Sequence, residues 1–295
     1  MIFNKTMKKN IFIISLLLSC NFAAQSQLLW KITGNGLKHP SYLFGTYHHI
    51  SIQYLDSVPG LYSAFNSCDI IVGEMVLNRA DATEKIQQSA IMPKHITMND
   101  LLSDDEYKLV DNELNSVLKI GLKDVSMMNP SLILSLYELE LYKLLTGFSD
   151  DVESDSYFQL VAAEKNKKIV GLETINQQIE FLFGNGSMER QADILVETIQ
   201  QKNSVIKELI QLNKLYKVGK IDELANLSRG QGKIVNYTAE EYAKLVDNRN
   251  ADWLVKLPEL FKESSCFVAV DAIHLGGNNG LVKQLQKAGY KVKVP

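Results

Sequence analysis

"CFVAVDAIHLGGNNGLVKQLQKAGYKVKV" (residues 266–294) is the stretch that decides the fold class. An apolar strand, a histidine at its end, a glycine-rich turn, an amphipathic helix closed by Gly289 and a further strand make a βαβ unit by pattern. The turn "GGNNG" lacks the lysine and spacing of a phosphate loop, and reads as a tight turn with Asn279 as helix cap. Similar short apolar runs stand at "SYLFGTY" (41–47), "DIIVGEM" (69–75) and "KKIVGLE" (167–173). Runs that are apolar throughout belong to strands covered on both faces. The pattern therefore predicts an α/β fold with a mainly parallel central sheet and helical crossovers.

Between these runs the spacing turns helical. Segments at 104–120, 130–146, 155–166, 188–218 and 237–262 carry apolar residues three and four apart. "SDDEY" places a serine cap before acidic first-turn residues, and Pro130 can open a helix. No solenoid-length repeat and no Pro- or Ser-rich linker divides the chain. One sheet domain over 27–295 is expected, with a large helical insertion at roughly 80–165 and 185–262.

The 295 residues are 46% hydrophobic and 22% charged, enough to bury a substantial core. A net charge of −3 gives no basic footprint, which speaks against nucleic acid or an anionic membrane surface as partner. Small molecules, peptides or sugars remain. Residues 1–26 read as a signal peptide: Lys5, Lys8 and Lys9, the apolar run "IFIISLLL", then small residues, with cleavage after Ser26. Export to the periplasm or the extracellular space follows. A competing reading lipidates Cys20 in "LLSC" and anchors the chain to the envelope, although Leu18 is bulky for that motif. Cys68 and Cys266 each open an apparent strand, and either bridge in an oxidising compartment or pack as small buried hydrophobes.

The chemistry points to strand ends. His48, in "LFGTYHHI" (43–50), lies just past one strand, and His274 lies just past another. With 17 glycines and 5 histidines, a single Gly-x-x-His arises by chance about 0.3 times. The position gives it weight, because open α/β sheets place ligands at the carboxyl ends of their strands. Glu74 and Glu173 also end strands, which makes a set of two imidazoles and two carboxylates. Such a set suits a divalent ion such as zinc, manganese or cobalt, which lowers the pKa of bound water. The plainer alternative has each glutamate capping a following helix, and "ETINQQ" looks like a helix start.

Taken together, "LFGTYH", the strand ending in Glu74, the Asp155–Phe158 segment leading through "AAEKNKKIVGLET", "RNADW", and the closing βαβ unit resemble the TraB/GumN family. That family includes the Tiki ectodomains and is similar in layout to erythromycin-esterase and ChaN-like folds. The resemblance implies Gly-x-x-His motifs, strand-end acids and an arginine around a metal-dependent hydrolytic site. It implies that His48, His274 and Glu74 hold a divalent ion (Mn, Co or Zn), that Glu173 accepts a proton from water, and that Arg249 steadies an oxyanion. Tyr47, Asp271 and Asn250 would line the pocket. Asp271 stands where the family motif has glycine. The expected function is an exported metal-dependent hydrolase of peptide or amide bonds. Alternatives are a metal-independent esterase and a non-catalytic peptide-binding protein of the pheromone-shutdown type.

Overall fold

The structure, a computed structural model, describes residues 27–77, 80–149, 154–231 and 237–295. The expected signal peptide and Cys20 lie outside the described residues. The six strands are β1 (Leu29–Gly34), β2 (Ser41–Thr46), β3 (Ile70–Gly73), β4 (Lys168–Gly171), β5 (Cys266–Asp271) and β6 (Tyr290–Lys293). They form one sheet in the order β4-β3-β5-β2-β1-β6. β4, β3, β5 and β2 pair in parallel, whereas β1 runs antiparallel to both β2 and β6.

The sheet is therefore mixed, and the mainly parallel expectation holds for β4, β3, β5 and β2 but not for β1. The reason is local. Gly34, Asn35 and Gly36 take left-handed φ of 82°, 48° and 78°, reversing the chain between β1 and β2. Lys31 and Thr33 interrupt the apolar run of β1, so it does not read as a strand covered on both faces.

The helices among the described residues are α1 (Leu61–Ser67), α2 (Ala80–Ser89), α3 (Met98–Leu101), α4 (Asp104–Val117), α5 (Pro130–Thr146), α6 (Ser154–Glu164), α7 (Ile175–Phe183), α8 (Met188–Gln200), α9 (Lys202–Lys217), α10 (Ile221–Asn226), α11 (Ala239–Tyr242), α12 (Asn248–Glu263) and α13 (Leu281–Lys287). The 188–218 stretch breaks at Gln201 into α8 and α9. A π-helical turn, Ala243–Asp247, leads directly into α12. No helix among the described residues is long and apolar enough to cross a membrane.

Two buried clusters result. One joins the sheet to α1, α6, α12 and α13, with the rings of Phe44, Phe65, Phe158 and Phe267 in mutual contact at its centre. The other is helical, built from α3, α4, α5, α8 and the start of α9. Tyrosine hydroxyls tie the two together at the end of β2. Tyr216 on α9 donates to Gly45 O (2.9 Å) and Tyr142 on α5 donates to His49 O (2.9 Å). The helical layer thus fixes the loop that carries His48.

Cys68 and Cys266 are separate buried thiols, and burial pushes both up to about 12. The packing reading holds and no bridge forms. The cap of α13 is Gly280, not Asn279 as the sequence suggested. The glycines serve packing: a Cβ on Gly276 would lie 2.2 Å from the Ile221 carbonyl oxygen of α10. Backbone cannot yield as a side chain tip can, so Gly276→Ala should cost about 1–3 kcal/mol. Urea denaturation measures this, and an unchanged midpoint would contradict the close packing of the turn on α10.

Candidate active site

β2, β5, β3 and β4 are parallel neighbours, so the residues that follow them emerge at one edge of the sheet. β2 delivers His48, β5 delivers Asp271 and His274, β3 delivers Glu74 and β4 delivers Glu173. A cavity of ≈ 330 Å³ opens there, lined by His48, Glu74, Asp155, Arg249, Asp271 and His274 among others. Glu173 and Asn250 lie behind this wall, both buried. Tyr47 is buried and lines a neighbouring cavity.

The centre of the cluster is Arg249, in the first turn of α12. A guanidinium carries five N–H donors in a fixed plane. Here all five are engaged. Nε and Nη2 grip Glu173 in a two-pronged pair (2.8 and 3.0 Å), and Nη2 also meets Glu74 Oε2. Nη1 donates to Leu245 O (3.1 Å) and to His274 Nε2 (3.2 Å). Leu245 belongs to the π-helical turn, whose carbonyl is thereby turned to a side chain. The rings of Phe181 and Trp253 lie 5.1 and 5.0 Å from the guanidinium carbon.

The partners of Arg249 are equally occupied. Glu173 also accepts from Trp253 Nε1 (2.8 Å) and Gln178 Nε2 (2.6 Å). Glu74 accepts the Asp271 backbone N–H at 3.0 Å. Asn250 donates its amide to the carbonyls of His274 (3.1 Å) and Asn279 (3.0 Å), so its oxygen must face His274 Nδ1 at 2.8 Å. Nδ1 therefore carries the proton of a neutral imidazole, and Nε2 is the acceptor. Burial, with Arg249 adjacent, depresses His274 to about 3. Burial alone would raise Glu74, but the Arg249 charge and the hydrogen bonds from the Asp271 N–H and Arg249 outweigh it and hold the carboxyl at about 2.

A second group faces the cavity. His48, about half exposed, points Nδ1 at Asp155 Oδ2 (3.6 Å) and Nε2 at Asp271 Oδ2 (4.0 Å). Asp155 comes from the first turn of α6. Ser154 beside it is pinned to the end of β2, accepting from Tyr47 N (3.1 Å) and donating to Tyr47 O (3.2 Å). Asp155 Oδ1 is buried without a hydrogen-bond partner. Burial, with Glu74 and Asp271 nearby, raises Asp155 to about 7 against the opposing pull of His48. Burial likewise raises Asp271 to about 6, with His48 and the Ile273 N–H opposing.

An ion shared by His48, Glu74 and His274 would need a free nitrogen on His274. That residue has none, since Nε2 accepts from Arg249 and Nδ1 carries a proton toward Asn250. The carboxylates that His48 faces are those of Asp155 and Asp271, not that of Glu74. Among the described residues, no group of three or more His, Cys, Asp or Glu side chains is placed to hold a metal ion. The donors as folded do not fit the ion that the sequence resemblance implied, and a guanidinium occupies the place beside Glu74 and His274.

The fold and site define an α/β protein with an acid- and histidine-lined pocket at the carboxyl edge of its parallel strands. The chain belongs to the TraB/PrgY/gumN family, whose model matches residues 28–294. No curated protein and no solved structure matches it.

Asp155 and Gln178 escaped the sequence reading as site residues. Asp155 stood inside a motif, but a lone acid in the first turn of a helix is ordinarily a favourable dipole partner. A carboxyl held above its unfolded value weakens the fold once both states are ionised, and the penalty fades as pH falls through the folded value. Asp155→Asn should therefore be more stable than the parent at pH 8, by roughly 1–4 kcal/mol. The gain should shrink on acidification from about 7 toward the ordinary 3.8 of the free side chain. Urea midpoints across this range measure it, and a gain independent of pH would contradict the assignment.

Proposed function

We propose that this chain is an exported hydrolase of a peptide, amide or ester bond, in which His48 takes a proton from the attacking water and Asp155 protonates the leaving group. The observation that carries this reading is the saturation of Arg249. With its five N–H groups engaged, and Glu74, Glu173 and His274 held by them, the titratable groups that line the pocket outside this network are His48, Asp155 and Asp271.

Their environments divide the labour as general acid–base chemistry requires. Water adds through oxygen to the carbonyl carbon and gives a proton to His48. The C–N or C–O bond then breaks, and the departing atom takes the carboxyl proton of Asp155. Asp271, ionised at neutral pH and facing Nε2, stabilises the imidazolium that forms. Glu74 acts at a distance: its fixed negative charge helps keep Asp155 protonated near pH 7. Arg249 is a positioning residue here, because no N–H remains to meet an oxyanion.

Family membership supports the hydrolytic class only through the sequence resemblance to Tiki proteins, and the signal-like leader supports export. The occupied nitrogens of His274 favour the metal-independent form of this chemistry, the esterase-like alternative among the sequence expectations. No step is routed through a metal.

The test is hydrolysis of peptide and ester libraries by the purified chain, with and without a strong chelator. Activity should survive chelation and fall about 10²–10⁴-fold in His48→Ala and Asp155→Asn. In the parent, kcat/KM should decline above pH of about 7 as Asp155 ionises. Loss of activity on chelation, restored by manganese, cobalt or zinc, would overturn this mechanism in favour of the metal-dependent one. Tight peptide capture without turnover would overturn the enzyme reading altogether.

A further inference from the structure

Beside the reactive cavity lies a second one of ≈ 260 Å³, and His48, Asp271 and Ile273 line both. Its walls are mostly apolar, formed by Val205, Leu209 and Leu212 of α9 and Leu224 of α10. Three carboxylates interrupt them: Asp271 at the wall shared with the reactive cavity and, away from it, Glu138 on α5 and Glu208 on α9. No ion pair involves either glutamate among the described residues, and no described lysine or arginine lines the cavity. Glu208 Oε2 is buried without a hydrogen-bond partner.

Two like charges in an apolar cavity repel and lose hydration. Burial first, then Glu208, raises Glu138 to about 7, and burial raises Glu208 as well. A third group points to the same missing partner. Tyr47 is only 7% exposed, lines this cavity, and its hydroxyl is buried with no hydrogen-bond partner. Buried polar groups are ordinarily satisfied, so unmet acceptors in one cavity call for a donor from outside. The donor that suits two carboxylates, a phenol oxygen and aliphatic walls is a cation on an apolar stem.

We propose that this cavity is a specificity subsite that takes the lysine or arginine side chain of a peptide substrate, its cationic head between Glu138 and Glu208 and its methylenes along α9. The placement of the scissile bond beside His48 rests on the hydrolase reading above, whereas the capture of the cation does not.

Calorimetry with n-butylammonium, the lysine side chain in isolation, and its neutral isostere n-butanol separates the two ideas. The parent should bind the ammonium at least tenfold more tightly than the alcohol. The Glu138→Gln/Glu208→Gln double variant should lose that preference, Tyr47→Phe should weaken it several-fold, and Asp155→Asn should retain it. Both glutamine replacements keep volume and remove a repulsion, and a thermal midpoint at or above the parent's confirms that the double variant is folded. In the peptide library, cleavage beside lysine or arginine should exceed cleavage beside leucine tenfold. Equal binding of ammonium and alcohol, or a preference that survives in the double variant, would overturn the subsite. Selective ammonium binding without any hydrolysis would instead refute the enzyme reading and leave the subsite standing.

Discussion

The buried guanidinium of Arg249 is the constraint on which the site depends. A planar cation with five donors was placed where three strand ends converge, and each donor found a fixed acceptor. Two carboxylates around one guanidinium leave a net negative charge, tolerable in a buried position because Trp253, Gln178 and the Asp271 N–H share it. Removing the arginine would leave Glu173 and Glu74 facing each other without compensation. The same contacts lock the tautomer of His274 and, through Asn250, hold the turn that follows β5.

Charge in the pocket is thereby sorted into two populations. Glu74 and Glu173 are held by Arg249, with Glu74 ionised far below neutrality. Asp155 and Asp271 have no such cation, and burial leaves them close to changing state where the cell operates. His48 lies between them, partly open to solvent. A rigid charged frame behind adjustable acids is a sound arrangement for moving protons, because the frame sets the potential without itself exchanging protons. The fold supplies rigidity at the right point: Tyr142 and Asn213 hold the loop after β2 by the His49 carbonyl, and Tyr216 holds the end of β2 by that of Gly45.

Much of the architecture was legible because it follows from periodicity. The apolar runs at 41–47, 69–75, 167–173 and 266–272 correspond to β2, β3, β4 and β5, and the helical spacing at 130–146 matches α5. β1 was not legible, since "LWKITG" mixes Lys31 and Thr33 into its apolar residues, and the mixed character of the sheet went with it. The convergence of His48, His274, Glu74 and Glu173 could be read from strand ends, whereas Arg249, on α12, entered only through the family resemblance. Their chemistry could not, because whether an arginine donor is engaged or an imidazole nitrogen occupied depends mostly on contacts 24 to 175 residues apart in sequence. Asp155 needed the fold, which carries the start of α6 to the end of β2.

The central claim is that His274 is a neutral, Nδ1-protonated imidazole held by Arg249 and Asn250, and nitrogen-detected NMR of the histidine side chains tests it most directly. The account predicts an Nε2 resonance of unprotonated character that stays in place from pH 5 to pH 8 and does not move when zinc, manganese or cobalt is added. A His274 signal that titrates near the ordinary value of 6.5, or one displaced by the metal, would show that Arg249 does not hold that nitrogen and would contradict the account.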